Sequence, residues 1–586
     1  MGDPLTTAES TWEARFRAPR ISLPAWARDA PARCVYVGNA TGTFELYTWD
    51  RSTGTTRQAT ERPNGTNDGQ LSPDGEWLWW FDDTDGDEHG HWNKQPFAGG
   101  SAVNAAPGVP AGYSAGCEIG STLSVVAVSS DDGSTIYTVT DDATSILYTS
   151  RDDADVAALS RDDRLVLIEH SEHGDSRHRA LRVLTVDGTL VADLWDGPGL
   201  GLHGVDFSPD GSVVLALHEK GGRPEPLVWD PATGEVTRIK VDIEGDLSAE
   251  WYVDGSALLV LAEARGRSTL HRVLLDGTVE DLPTPDGTIL DATPRPDGTV
   301  EYAWSCAASP RVIRSTSGAV VLEAPGPAAP GSVPVEDVFV DGPGGVVHAL
   351  VARPERTADP LPTVFIVHGG PTAHDCDEFR ADRAAYIDLG CAVVEVNYRG
   401  STGYGAAWRD AIEGCPGLTE LEDLAAVRAW AMESGLASTC VLTGGSWGGY
   451  LTLLGLGTQP TLWSAGVAVV PVADYVAAYE DEMEPLRAFD RSLFGGSPSE
   501  VPEVYERCSP ITYVRDVVAP VLVLAGANDP RCPIRQIDNW LDAAASLGKD
   551  VEVYRFDAGH GSLVIEERIR QMRAELDFVA RQVGLV

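Results

Sequence analysis

The chain is poor in lysine, in methionine and in paired cysteines, and each shortage removes a class of function. Of 44 basic residues only four are lysine (Lys94, Lys220, Lys240, Lys549). None precedes Ser or Thr, so a Walker-type phosphate loop is excluded. The 88 Asp and Glu residues outnumber the basic ones two to one, for a formal net charge of -44. A cationic face for nucleic acid is therefore missing, and the surplus acid reads as a solubilising shell. The nine cysteines contain no C-x-x-C pair, which points to reduced thiols and away from zinc or a redox motif. No stretch approaches the roughly 18 apolar residues of a membrane span, and the first twenty residues lack the apolar segment of a signal peptide. The expected protein is cytoplasmic, with neither nucleic acid nor membrane as partner.

What is present is an ordinary globular composition, 43 % hydrophobic and 23 % charged over 586 residues, enough for two large domains. From about residue 28 to 330 the text repeats loosely: LSPDGEWLWWFDD from Leu71, LSRDDRLVLIEHS from Leu159, FSPDGSVVLALHE from Phe207, YVDGSALLVLAEA from Tyr252 and PRPDGTVEYAWSC from Pro294. Each phrase joins a polar Asp-Gly or Asp-Asp turn to a short run of β-formers, which is a turn followed by a strand. The turns recur about every 40 to 50 residues, the length of a four-stranded blade, so the region is expected to be an all-β propeller of about seven blades.

After Pro334 the texture changes. VEDVFVDGPGGVVHALVARPE predicts an antiparallel hairpin, and then apolar strands alternate with helical stretches: TVFIV (363–367), CAVVEV (391–396), CVLTG (440–444), GVAVV (466–470), PVLVLA (520–525) and VEVYRF (551–556). Near-continuous apolar strands of this kind are buried on both faces of a parallel sheet. With the hairpin they predict an eight-stranded, mostly parallel α/β-hydrolase sheet over 331–586. Residues 1–27 fit neither pattern; TTAESTWEARFRA reads as a capped amphipathic helix that packs on the C-terminal domain.

Gly444-Gly-Ser446-Trp-Gly448 is a G-x-S-x-G motif between an apolar strand and a helix. That context suits a nucleophile elbow, in which a sharp turn lifts the serine hydroxyl above the sheet. Gly112-Tyr-Ser-Ala-Gly116 has the same spelling without a preceding apolar strand and reads as a propeller loop. Gly199-Leu-Gly-Leu-His-Gly204 runs into a strand, which removes a dinucleotide site. A serine nucleophile needs a base and an orienting carboxylate, in chain order Ser, Asp or Glu, His for this fold. Beyond Ser446 there is one histidine, His560, just after VEVYRF, and the preceding strand, PVLVLA, ends in a loop carrying Asp529. Asp538 lies too far into the next helix and Asp557 inside the histidine loop. The acyl intermediate requires two backbone donors: Trp447 N–H, next to the nucleophile, and Gly370 N–H in the loop His368-Gly-Gly-Pro371. His368 itself reads as a loop brace.

These residues, with Asn397-Tyr-Arg-Gly-Ser-Thr-Gly-Tyr-Gly405, Asp529-x-Arg531-x-Pro533 and Gly559-His-Gly561, resemble the prolyl oligopeptidase family of serine peptidases, in its acylaminoacyl peptidase and dipeptidyl aminopeptidase-like branch. The resemblance implies an active site in a cavity between hydrolase and propeller, which admits short peptides and excludes folded proteins. It also implies that Arg531 binds the carbonyl preceding the cleaved residue, and that Tyr450, Val472 and Tyr475 line the pocket of the attacked residue. The paired-glutamate motif that clamps a free amine in dipeptidyl peptidases has no clear equivalent. Asp481, Glu482 and Glu484 read as a solvated acidic loop, and the acidic stretch 82–91 as a propeller turn without the spacing of a calcium loop.

The expected activity is hydrolysis of short peptides through an acyl-enzyme, without cofactor or metal. Two alternatives stand beside it: an esterase or amidase acting on an acylated or aminoacylated small molecule, and a propeller scaffold carrying a silent hydrolase fold. The sequence is compatible with a homo-oligomer and does not set the oligomeric state.

Overall fold

The computed structural model describes residues 10–585, apart from 142 and 356–359. Between Ala25 and Leu322 the described residues form antiparallel strands in sequential order. Four-stranded sheets span 25–58, 154–194, 202–238, 246–282 and 288–322, and one eight-stranded sheet spans 69–150. In the last of these, pairing of His89 and Gly90 with Tyr113 and Gly112 joins two groups of four. The first and last sheets meet. Cys34, Tyr36, Tyr47 and Trp49 share one apolar cluster with Ala303, Ile313 and Val321, and Glu301 accepts hydrogen bonds from Trp26 Nε1 (2.8 Å) and Arg51 Nη1 (2.9 Å).

The recurring Ser-x-Asp turn has a common cause. Ser72 and Ser208 hydroxyls donate to Asp74 and Asp210 (2.6 and 2.7 Å) and accept the amides of Trp77 and Val213 (3.0 and 3.1 Å). Such side-chain bonds close the turn before the next strand starts. The glycine that follows takes positive φ, 67° at Gly75 and 75° at Gly211. In the phrase SRDD, Asp163 occupies that place at φ 56°, and its carboxylate offsets the strain by accepting the amides of Ser121 (3.1 Å) and Thr122 (2.6 Å).

The C-terminal half is one sheet of eight strands: β1 (Val335–Gly342), β2 (Gly345–Ala352), β3 (Leu361–Val367), β4 (Ala392–Asn397), β5 (Ala437–Gly445), β6 (Ala465–Val469), β7 (Val521–Gly526) and β8 (Val551–Phe556). Its order is β1-β2-β4-β3-β5-β6-β7-β8, antiparallel through the β1–β2 hairpin and the β2–β4 pair and parallel thereafter. This is an α/β-hydrolase sheet. Val364, Phe365, Val393, Val394, Val441, Leu442, Val523 and Leu524 have no exposed surface, and full burial of such side chains stabilises by about 1.5–3 kcal/mol each. β8 is an outer strand and departs from the expected burial: of its side chains only Phe556 is buried, and Glu552, Val553 and Arg555 are exposed. The main helices are α1 (Thr11–Arg17), α2 (Ala381–Leu389), α3 (Leu418–Glu433), α4 (Trp447–Thr458), α5 (Tyr475–Asp481), α6 (Glu484–Phe494), α7 (Ile534–Ser546) and α8 (Ile565–Val583), and two further short ones span Ala406–Arg409 and Pro502–Cys508. None is long and apolar enough to cross a membrane.

Helix α1 packs Trp12 and Phe16 among Tyr386, Ile387, Met572 and Leu576 of α2 and α8, and Arg15 pairs with Asp388 at 2.5 Å. Ser10 occupies the N-cap position in extended backbone but makes no side-chain cap bond, and Thr6 and Thr7 lie outside the described residues. The two halves are joined by ion pairs, Arg177 with Asp410 (2.8 Å) and Glu413 (2.6 Å), Arg267 with Asp337 (2.7 Å), and Arg409 with Glu219.

Candidate active site

The motif glycines of the elbow have a steric origin. A Cβ on Gly444 would lie 2.5 Å from Val367 O, and one on Gly448 2.1 Å from the same atom, because β3 rises directly against the turn. Ser446, between β5 and α4, holds φ 56° and ψ -118°, a conformation a non-glycine residue adopts only where its surroundings enforce it. Its amide donates to Val469 O at 2.9 Å. Trp447 opens α4, so its N–H belongs to the first turn and is not consumed by the helix; its indole donates to Glu420 at 3.3 Å. The loop after β3 comes close: a Cβ on Gly369 would sit 3.5 Å from Ser446 Cβ and 3.9 Å from Trp447 N. Gly370 follows at φ 126°. His368 braces this loop, stacked on Tyr398 and bonded through Nε2 to Ser401 Oγ at 2.8 Å.

Asp529 and His560 follow β7 and β8, at the same carboxyl end of the parallel strands as Ser446. Asp529 is buried. Its Oδ1 accepts the amides of Arg531 and Cys532, both at 2.9 Å, and its Oδ2 lies 2.8 Å from His560 Nδ1. One oxygen is thus fixed by the backbone and the other faces the imidazole, so His560 Nε2 is the nitrogen left to exchange a proton. Asp538 instead pairs with Arg555, and Asp557 accepts a long bond from Asn528, 3.4 Å.

Tyr450 is fully buried, its hydroxyl donating to Pro416 O (3.0 Å) and Cys508 O (2.8 Å). Its ring meets Trp447 and Tyr475 edge-on, with centroids 4.8 and 5.1 Å apart; Val472 belongs to the same core. Arg531 points the other way, toward the N-terminal half, where Glu88 holds its Nε at 2.8 Å. Both line a cavity of about 680 Å³ with His560, Tyr113, Asp68 and Asp83. Glu88 belongs to the acidic turn that the sequence presented as a plain loop; its φ of 55° marks a backbone held for a purpose, a signal absent from the letters.

Two propeller turns hold the histidine loop, the one around Gly42 and the acidic one around Gly86. Phe44 N donates to Leu563 O (2.9 Å) and Ile565 N to Gly42 O (2.8 Å). A Cβ on Gly559 would lie 1.8 Å from Gly86 O. Gly559→Ala is therefore expected to push the two halves apart at His560 and to lower kcat/KM at least tenfold while leaving the chain folded, as read by steady-state kinetics and circular dichroism.

The acidic cluster at the end of α5 departs from the sequence reading. Asp481 pairs with Arg535 and Glu484 with Arg491, each at 2.8 Å, but Glu482 is buried, not solvated. The chain folds back there beneath the Asp529 loop, with Met483 N donating to Pro530 O at 3.2 Å, and it brings Glu482 against the buried Asp490. Desolvation, and then the neighbouring carboxyl, pushes Glu482 well above the ordinary range, and burial pushes Asp490 up to about 8. Raised carboxyls bind protons in the fold that the unfolded chain has released, so stability falls as pH rises from about 4 through about 8. Asp490→Asn is expected to flatten that fall, raising Tm by about 2–5 °C at pH 8.5 and changing it little at pH 4.5.

Residues 377–585 match the sequence model of the prolyl oligopeptidase family. The dipeptidyl aminopeptidase BIII of Pseudoxanthomonas mexicana is 28 % identical over 408 residues, 64 % of this chain and 56 % of that protein, so the chain spans little more than half of that relative. Among solved structures, a puromycin hydrolase superposes with a TM-score of 0.82 at 22 % identity, over 99 % of this chain and 97 % of its own. An acylaminoacyl peptidase of Pyrococcus horikoshii superposes with a TM-score of 0.74 at 17 % identity, over 98 % of both chains. Those superpositions establish a shared fold across both halves. The family match thus falls on the C-terminal α/β half, the part that carries the elbow serine and the Asp529–His560 pair at the ends of the parallel strands.

Proposed function

We propose that the protein is a serine peptidase that cleaves short peptides through an acyl-enzyme. The observation that carries this reading is the Asp529–His560 hydrogen bond of 2.8 Å at the same carboxyl end of the sheet as an elbow serine. Ser446 attacks the scissile carbonyl, and His560 takes the hydroxyl proton through Nε2 and returns it to the leaving amine. Asp529 fixes the tautomer and stabilises the imidazolium. The Trp447 and Gly370 amides receive the oxyanion. Water then repeats the sequence on the acyl-enzyme.

The organisation proposed is an N-terminal helix and connector (1–27), a seven-bladed propeller (28–330) and a hydrolase domain (331–586). Seven sequential groups of four strands, with the first sheet packed on the last, support the propeller. The cavity between the halves restricts substrates to short chains. On its acyl side Arg531 would hold the carbonyl preceding the cleaved residue, and the apolar wall of Trp447, Tyr450, Val472 and Tyr475 would receive that residue's side chain. The nine unpaired thiols suit a cytoplasmic setting.

Asp68, Asp83 and Glu88 on the propeller wall favour a substrate with a free, cationic α-amine over an acylated one. A panel of aminoacyl anilides with free and acetylated N-termini, run beside p-nitrophenyl esters, tests this. The free-amine anilides are expected to lead by about tenfold or more in kcat/KM; a lead for acetylated anilides would make it an acylaminoacyl peptidase. Hydrolysis of esters alone would make it an esterase.

A further inference from the structure

A second charged region adjoins the elbow. Arg20 follows α1, Arg311 projects from the propeller strand Ser309–Ser315, and Arg568 stands in the first turn of α8. All three line one cavity of about 580 Å³ that also reaches Gly369 and Gly445, the backbone against and before Ser446. Arg568 and Gln571 are shared with the cavity that holds His560 and Arg531, so the two spaces adjoin. Arg20 and Arg568 flank the ring of Phe44, with guanidinium carbons 5.3 and 5.9 Å from its centroid.

In a chain with twice as many acids as bases, no described carboxylate lies within ion-pair distance of these three arginines. Arg20 Nε and Nη2 are buried with no hydrogen-bond partner. Carboxyls on the same wall are engaged elsewhere: Asp375 and Asp382 with Arg380 (2.9 and 2.6 Å), Glu575 with the Tyr386 hydroxyl (2.9 Å). Glu378, also on that wall, makes no contact with Arg311 inside 4 Å. Burial, then the proximity of Arg568 and Arg311, lowers Arg20 to about 10, so all three remain cationic at neutral pH. Like charges gathered at one cavity with no paired carboxylate cost stability, although Glu378 and Asp291 act on Arg311, and Asp382 on Arg20 and Arg568, from beyond ion-pair distance. A planar guanidinium is moreover the group best shaped to hold a carboxylate by two parallel bonds.

We propose that Arg20, Arg311 and Arg568 form a carboxylate-binding subsite on the leaving-group side of Ser446, which selects short peptides by a carboxylate C-terminal to the cleaved bond. The proposal rests on the peptidase reading above and assigns the two sides of the interdomain space opposite charges. The acidic wall around Glu88 receives the amine end of a short zwitterionic peptide, and the arginine wall its carboxylate end.

The test compares tri-alanine, its C-terminal amide, and the amidated tripeptide carrying Asp after the cleaved bond. With the wild-type protein, tri-alanine is expected to exceed its amide by about 10- to 100-fold in kcat/KM, the range of a charge-assisted hydrogen bond. In Arg311→Ala and Arg568→Gln the ratio is expected to fall to within about threefold; because it is internal to each variant, a general loss of activity cancels. Recovery by the Asp-bearing amide would assign the carboxylate to a side chain, and no recovery to the C-terminus. An acid-to-amide ratio near one in the wild type, or an unchanged ratio in both variants, would overturn the subsite. Calorimetry of tri-alanine and its amide with Ser446→Ala separates the two claims. Tighter binding of the acid with no cleavage by the wild type would remove the peptidase reading and leave the subsite, and equal binding would remove the subsite alone.

Discussion

Ser446→Ala is expected to lower turnover of a free-amine aminoacyl anilide by about a millionfold, because loss of a nucleophile acting as part of a unit costs nearly all of the catalysis the unit provides. The elbow should survive the change. Its strain at φ 56° is imposed by the rise of β3 against Gly444 and Gly448 and by the Ser446 amide bond to Val469 O, 2.9 Å, and none of these involves the hydroxyl. Thermal unfolding within about 2 °C of the wild type, with substrate binding retained by calorimetry, would assign the loss to chemistry. Residual turnover above about a hundredth of the wild-type rate would place the nucleophile elsewhere.

Asp529→Asn is expected to cost about ten thousandfold in kcat near neutral pH, and the hydrogen bonds give the reason. Asp529 Oδ1 accepts two backbone amides at 2.9 Å, so an asparagine would leave its carbonyl oxygen there and turn its NH2 toward His560 Nδ1. The imidazole would then have to accept at Nδ1 and carry its proton on Nε2, the nitrogen that must take the serine proton. Asp538→Asn, at a surface pair with Arg555, is expected to change kcat less than threefold. Equal losses in the two variants would contradict the assignment of the carboxylate.

Much of this was legible in the letters because it depends on local rules. The six apolar runs became β3 to β8, with ends shifted by a few residues: β5 begins at Ala437, ahead of the apolar letters, where pairing with β3 extends it. The elbow position of Ser446 was readable because strand, motif and helix are contiguous, and the positions of Asp529 and His560 because each follows a strand of the parallel sheet. The short Ser-x-Asp phrases reported their turns faithfully, since a hydroxyl, a carboxylate and a glycine within five residues close the turn without outside help.

The remainder depends on how the halves dock. Glu88 and Arg531 are 443 residues apart in the chain, and Gly86 and Gly559 are joined by neither motif nor period. The acidic turn read as an ordinary loop because its purpose lies in another domain. Glu482 read as solvated because its burial comes from α5 and α6 folding beneath the Asp529 loop, and a carboxyl facing Asp490 leaves no trace in composition. The arginines at 20, 311 and 568 belong to three separate segments, and only the fold brings them to one cavity.

The most direct test of an acylating serine at the elbow is labelling with a fluorophosphonate followed by peptide mass mapping. The account predicts one adduct per chain, on the tryptic peptide containing Ser446, absent from Ser446→Ala and strongly slowed in Asp529→Asn. No adduct on the folded wild-type protein, or an adduct that persists in Ser446→Ala, would contradict it.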